Sequence, residues 1–131
     1  MKPFSCEVSS TNSVFLNSLV SCIEKMDCSN FFPAHLGKNQ REQKAVVEKF
    51  QKNVAQALRD SFQTVTWNEE YRPGECRDAI DIFGEGNGFC VVIELDKNRA
   101  DQVAKKFVSR MALIPPPKEN KGVFRFSVLH C

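Results

Sequence analysis

The sequence predicts one α/β domain with a helix–strand–strand–strand–helix–strand order behind an N-terminal helical extension. Three observations predict it. Apolar residues recur at helical intervals in three stretches, three short runs rich in β-branched and aromatic residues lie between the last two, and a fourth such run follows. The chain has 131 residues, the size of one ordinary domain. With 42% hydrophobic residues it carries too much apolar material for disorder, and no apolar run is long enough to span a bilayer.

Residues 1–37 form the extension, where Thr11 or Asn12 caps a helix with Val14, Phe15, Leu19, Val20 and Ile23 on one side and Phe31-Phe32-Pro33 ends it. Residues 38–131 form the domain. Its clearest helix runs from about Lys38 to Phe62, with Val47, Phe50, Val54, Ala57, Leu58 and Phe62 three or four residues apart. Thr64–Trp67 reads as a strand, Pro73-Gly74 as a turn, and Asp78–Phe83 and Phe89–Asp96 as two strands of a hairpin joined by Gly84–Gly88. Arg99–Leu113 is a second helix, striped by Val103, Ala104, Phe107, Val108 and Met111 and stopped by Pro115 to Pro117. Val123–Leu129 is the last strand, exposed on one side.

The charges are unevenly placed. Residues 63–96 carry two basic and eight acidic side chains, and residues 97–131 carry eight basic and two acidic. This pattern suggests a carboxylate cluster beside a surface that attracts polyanions, where a bland reading has only uneven solvated faces. The start lacks the uninterrupted apolar segment of a signal peptide, and the six cysteines give no CxxC pair. Free thiols and a cytoplasmic location are therefore expected. His35 and His130 are isolated, so zinc is not expected.

The chemistry concentrates on the hairpin. Glu94 and Asp96 alternate on one strand and so share a face. Asp81, between Ile80 and Ile82 on the partner strand, lies across from them if the hairpin forms. Three converging carboxylates disfavour one another's ionisation unless a cation joins them. Magnesium or manganese, held by Asp81, Glu94 and Asp96, would suit such an oxygen set and leave positions for a substrate phosphate. For the pair Glu94 and Asp96 alone, the simpler reading is two solvated strand-end acids.

The segment RDAIDIFGEGNGFCVVIELDKNRADQVAKKF resembles the core of the PD-(D/E)XK nuclease superfamily, the restriction-endonuclease-like fold, and the element order extends that resemblance over roughly residues 38–129. The resemblance implies an α-β-β-β-α-β core in which a central mixed sheet is flanked by helices. It implies that Asp81 and Glu94 are the metal-binding acids of a magnesium-dependent nuclease. Glu42 or Glu48 would be the acidic residue that some members place on the preceding helix, and Gln102 the helix glutamine of others. The sequence departs from the pattern at the family's lysine, where E-x-K is replaced by Glu94-Leu95-Asp96. Lys97 is adjacent but alternates to the opposite face, so Lys97 or Lys105 is the nearest cationic assistant.

Two readings follow: metal-dependent hydrolysis of phosphodiester bonds in nucleic acid, or a catalytically inactive module of the same fold that binds nucleic acid or a protein partner. Arg99, Lys105, Lys106 and Arg110 are the phosphate-contacting candidates, with DNA the first partner to consider, homodimerisation open and no membrane expected. Most aromatics fall in the apolar periodicities and are expected in the core. Tyr71, beside Arg72 and the Pro73-Gly74 turn, is the exception that suits base stacking.

Overall fold

The first long helix is specified at its entrance. In the computed structural model, Asn39 accepts a hydrogen bond from the Glu42 amide at 3.0 Å while the Glu42 carboxylate accepts from the Asn39 amide at 3.0 Å. This reciprocal box satisfies two of the helix's orphan N–H groups. The structure describes residues 2–3, 13–27, 37–75, 77–96 and 122–129, with the backbone alone for 2–3, 13, 96 and 122–129.

Helix α2 spans Gln40–Ser61, close to the expected bounds, and buries Phe50, Gln51, Val54, Ala55 and Leu58. Helix α1 spans Ser13–Lys25. Its buried stripe is Leu16, Leu19 and Ile23, whereas Val14, an expected stripe residue, is 79% exposed. A stripe through 16, 19 and 23 turns position 14 to the far side of a 3.6-residue helix. The three α1 residues join one apolar cluster with Phe50, Val54 and Leu58 of α2 and with Ile82, Val91, Ile93 and Leu95 of the sheet. Helix α1 is thus part of the core of this α/β structure. Phe15 fixes the junction, its ring 5.3 Å from Phe62 and 4.5 Å from Phe89.

The sheet contains β1 (Lys2–Pro3), β2 (Thr66–Tyr71), β3 (Ile80–Gly86), β4 (Phe89–Asp96) and β5 (Gly122–Leu129), in the spatial order β1-β5-β4-β3-β2. Strands β2, β3 and β4 form an antiparallel meander. Strand β5 runs parallel to β4 from Phe89↔Gly122 to Asp96↔Leu129, and β1 pairs antiparallel with the end of β5. A parallel neighbour requires a crossover connection. The expected Arg99–Leu113 helix and the Pro115–Pro117 stop lie outside the described residues.

Strands β2 and β3 both sit later in the chain than the sequence suggests. The reason is that Gly84 and Gly86 are strand residues: Gly84 pairs with Trp67 and Gly86 with Phe89. The turn is confined to Asn87-Gly88, with Gly88 at φ 81°. A Cβ on Gly84 would come within 2.6 Å of the Trp67 ring, and one on Gly86 would strike the Phe89 ring. These glycines are places where aromatic rings lie on bare backbone.

Gly84→Ala is therefore expected to lower stability by about 1–3 kcal/mol, the usual cost of overpacking. Urea unfolding would measure it, and the same substitution in a Trp67→Leu background should cost less because the obstructing ring is gone.

Candidate functional site

Two neighbouring strands change faces at the same level. Trp67 of β2 and Ile82 of β3 belong to the cluster under α1 and α2, and Glu69 reaches α2 through Arg59. One step further along the ladder, the paired Tyr71 and Ile80 belong instead to a second cluster with Phe83, Val92 and Cys90 on the opposite face. Strict alternation would have kept them on the first face. Between the two levels stand Glu70, a non-glycine residue with φ 51°, and Asp81. A left-handed residue within a strand carries strain that its surroundings must hold in place.

The holding is done from α2. Gln51 is 6% exposed, and its Nε2 donates to the Asp81 carbonyl at 2.8 Å and to Glu70 Oε1 at 3.1 Å. Both partners are acceptors, so they orient the amide and use both of its N–H groups. The Asp81 carboxylate turns toward β4, where Oδ2 accepts from the Leu95 amide at 2.7 Å. The β3–β4 register runs no further than Ile82↔Ile93. The carboxylate thus continues the hydrogen bonding past the point where the backbones separate. Two turns along α2, Arg59 donates to Glu69 at 2.8 Å and to the Trp67 carbonyl at 3.4 Å.

The separation opens a cleft of about 590 Å³ between α2 and the ends of the strands, lined by Lys44, Val47, Glu48, Gln51, Lys52, Glu69, Glu70, Asp81 and Leu95. Lys44 and Glu48 lie 3.8 Å apart in an exposed ion pair. Lysines on the helix wall thus face carboxylates on the strand wall.

The candidate residues distribute as follows. Asp81 and Glu48 line the cleft. Glu42 is at the helix entrance in its capping box, which leaves Glu48 as the α2 acid near Asp81. Glu94 is 1% exposed and alternates between Ile93 and Leu95, which face the helices, so it belongs to the face of Val92. It does not line the cleft that Asp81 lines. Asp81 thus stands at the helix-facing cleft, while Glu94 is placed by alternation on the opposite face of β4. Asp96 ends β4, its side chain outside the described residues, as are Lys97, Arg99, Gln102, Lys105, Lys106 and Arg110 in full. Among the described residues no group of three or more His, Cys, Asp or Glu could hold a metal ion. Neither Cys22 nor Cys90 is in a disulfide, and Cys22 Sγ donates to Ser61 Oγ at 3.7 Å.

Sequence reasoning did not single out Gln51, Glu69, Glu70, Arg59, Lys44 or Lys52. For Gln51 a signal was present: it stands on the stripe Val47, Gln51, Val54, Leu58, where an amide among apolar residues marks a specific buried bond. No protein-family model, curated protein or solved structure matches the chain. Among the described residues no helix is long and apolar enough to cross a membrane.

Asp81→Val should cost about 1–3 kcal/mol by stranding the Leu95 amide, while Asp81→Asn keeps an oxygen acceptor and loses less. Amide hydrogen exchange at Leu95 would check this, accelerating in the valine variant and not in the asparagine one. Gln51→Leu should destabilise by a similar amount, because the Asp81 carbonyl loses its donor.

Proposed function

We propose that the chain is a restriction-endonuclease-like domain that engages the phosphodiester backbone of nucleic acid. The observation that carries the reading is the sheet: an antiparallel meander of three strands with a fourth parallel to the last, and an aspartate where the second and third strands part beside a helix-walled cleft. The mixed sheet supports the α-β-β-β-α-β core that the resemblance implies, whose second helix falls outside the described residues. The excess of eight basic over two acidic side chains in residues 97–131 supports a polyanionic partner, since phosphate neutralisation dominates such affinity.

Of the two forms of this reading, binding without cleavage is the better supported. The Asp81 carboxylate is engaged by the Leu95 amide, Glu94 belongs to the other face, and Asp96 stands where the family carries its lysine. Among the described residues no three His, Cys, Asp or Glu gather for a magnesium or manganese ion, and the Asp96 side chain lies outside them. The hydrolytic form would need Asp81, Glu94 and Asp96 on one ion with Lys97 or Lys105 assisting. In the binding form, Arg99, Lys105, Lys106 and Arg110 neutralise phosphates, and the carboxylates of the cleft repel the backbone from that wall.

Labelled DNA and RNA, single-stranded and duplex, would decide. Binding by anisotropy should weaken as salt rises, by about 0.7–0.9 in the log–log slope for each phosphate contact. Replacing Lys105, Lys106 and Arg110 with glutamate should abolish it. No binding at low salt would sink the proposal. Cleavage that requires magnesium or manganese and disappears in both Asp81→Asn and Glu94→Gln would establish the hydrolytic form instead.

A further inference from the structure

The face change that opens the cleft also delivers the chain's one tyrosine to the opposite side of the sheet. There the Tyr71 ring stacks on Phe83, with centroids 4.2 Å apart and planes 11° apart. Phe83 is 7% exposed, whereas Tyr71 is only half-buried, so the stack ends in a ring that water reaches. Residues 63–96 hold eight acidic side chains and two basic ones, and those two are Arg72 and Arg77. Both are exposed, and Arg72 Nη1 donates to the Arg77 carbonyl, which gathers them beside the tip of β2. That bond uses one of the five donors of the Arg72 guanidinium and leaves the rest for another acceptor.

An aromatic face alone would suit many apolar groups. Two exposed arginines that follow it in the chain, Arg72 and Arg77, bonded to each other in an otherwise acidic segment, add a preference for an anion near the ring. We propose that Tyr71, supported from beneath by Phe83, is a stacking platform for one unpaired nucleobase, with Arg72 and Arg77 taking the adjacent phosphates. The inference rests on the nucleic-acid reading above and narrows it to single strands or bases turned out of a duplex. It also separates base contact, at the tip of β2, from the bulk of phosphate contact in residues 97–131.

The test uses the full chain with a short fluorescent oligodeoxyadenylate and an abasic strand of equal length. Stacking of one base is worth about 1–3 kcal/mol, so the abasic probe should bind roughly 5- to 150-fold more weakly, and Tyr71→Leu should weaken oligodeoxyadenylate by a similar factor. Tyr71→Trp should bind like the unchanged chain. Arg72→Ala with Arg77→Ala should reduce the salt slope by about 1.4, two contacts' worth on a single strand. If Tyr71→Leu fails to fold, photo-cross-linking of bromodeoxyuridine-substituted DNA to the unchanged chain gives the answer: an adduct at Tyr71 supports the platform and an adduct confined to other residues overturns it. Equal binding of abasic and base-bearing probes also overturns the platform while leaving the nucleic-acid reading intact. A chain that binds neither probe at low salt removes both.

Discussion

The architecture turns on a bond between a side chain and a strand that its own strand has just left. Beyond Ile82↔Ile93 the backbones of β3 and β4 diverge, and the Asp81 carboxylate spans the gap to the Leu95 amide. Without it, a buried strand would present an unmet N–H at the point where the sheet opens, at a cost comparable to a lost hydrogen bond. Gln51 makes the arrangement a unit: its amide ties α2 to the Asp81 carbonyl and to the carboxylate of the strained Glu70. Helix, edge strand and central strand are coupled through one buried glutamine. The cleft and the Tyr71–Phe83 stack are the two sides of the same local rotation.

What could be read in advance follows from the range of the forces involved. Helix α2 was legible because its signal is local: an apolar stripe from Val47 to Phe62 at helical spacing. Strand β4 was legible because Phe89 to Asp96 is an unbroken apolar run with terminal acids. The ends of β2 and β3 were not, since Gly84 and Gly86 look like turn residues until Trp67 and Phe89 are known to cover them. Asp81 could be picked out as a carboxylate between two isoleucines. Its direction could not, because that depends on Glu70, a residue eleven positions earlier that meets it only across the sheet. Glu94 invites grouping with Asp81 from its place on the facing strand, and its near-complete burial could not be read from that spacing.

The division of charge takes on a spatial meaning in this structure. The acidic residues of the middle segment are not one patch. Glu69 is matched by Arg59, Glu70 is held by Gln51, Asp81 by the Leu95 amide, and Glu94 is buried on the far face. Much of the segment's negative charge therefore serves the internal bonding of the sheet, and pairs of this kind add modestly to stability where water reaches them. The basic excess of residues 97–131 lies on side chains outside the described residues, and it is the sequence feature on which the proposed polyanionic partner rests.

The ring of Trp67 resting on Gly84 has a further meaning for how the chain finds its register. Side chains on a strand alternate with a period of two, so a slip of one residue between β2 and β3 would bring Phe83 or Glu85 beneath the indole in place of a bare backbone. Neither leaves room for the ring, and either would turn the buried set of β3 outward. The single tryptophan of the chain thus acts as a key that enters only one notch, disfavouring one-residue misalignment of β2 on β3 by shape.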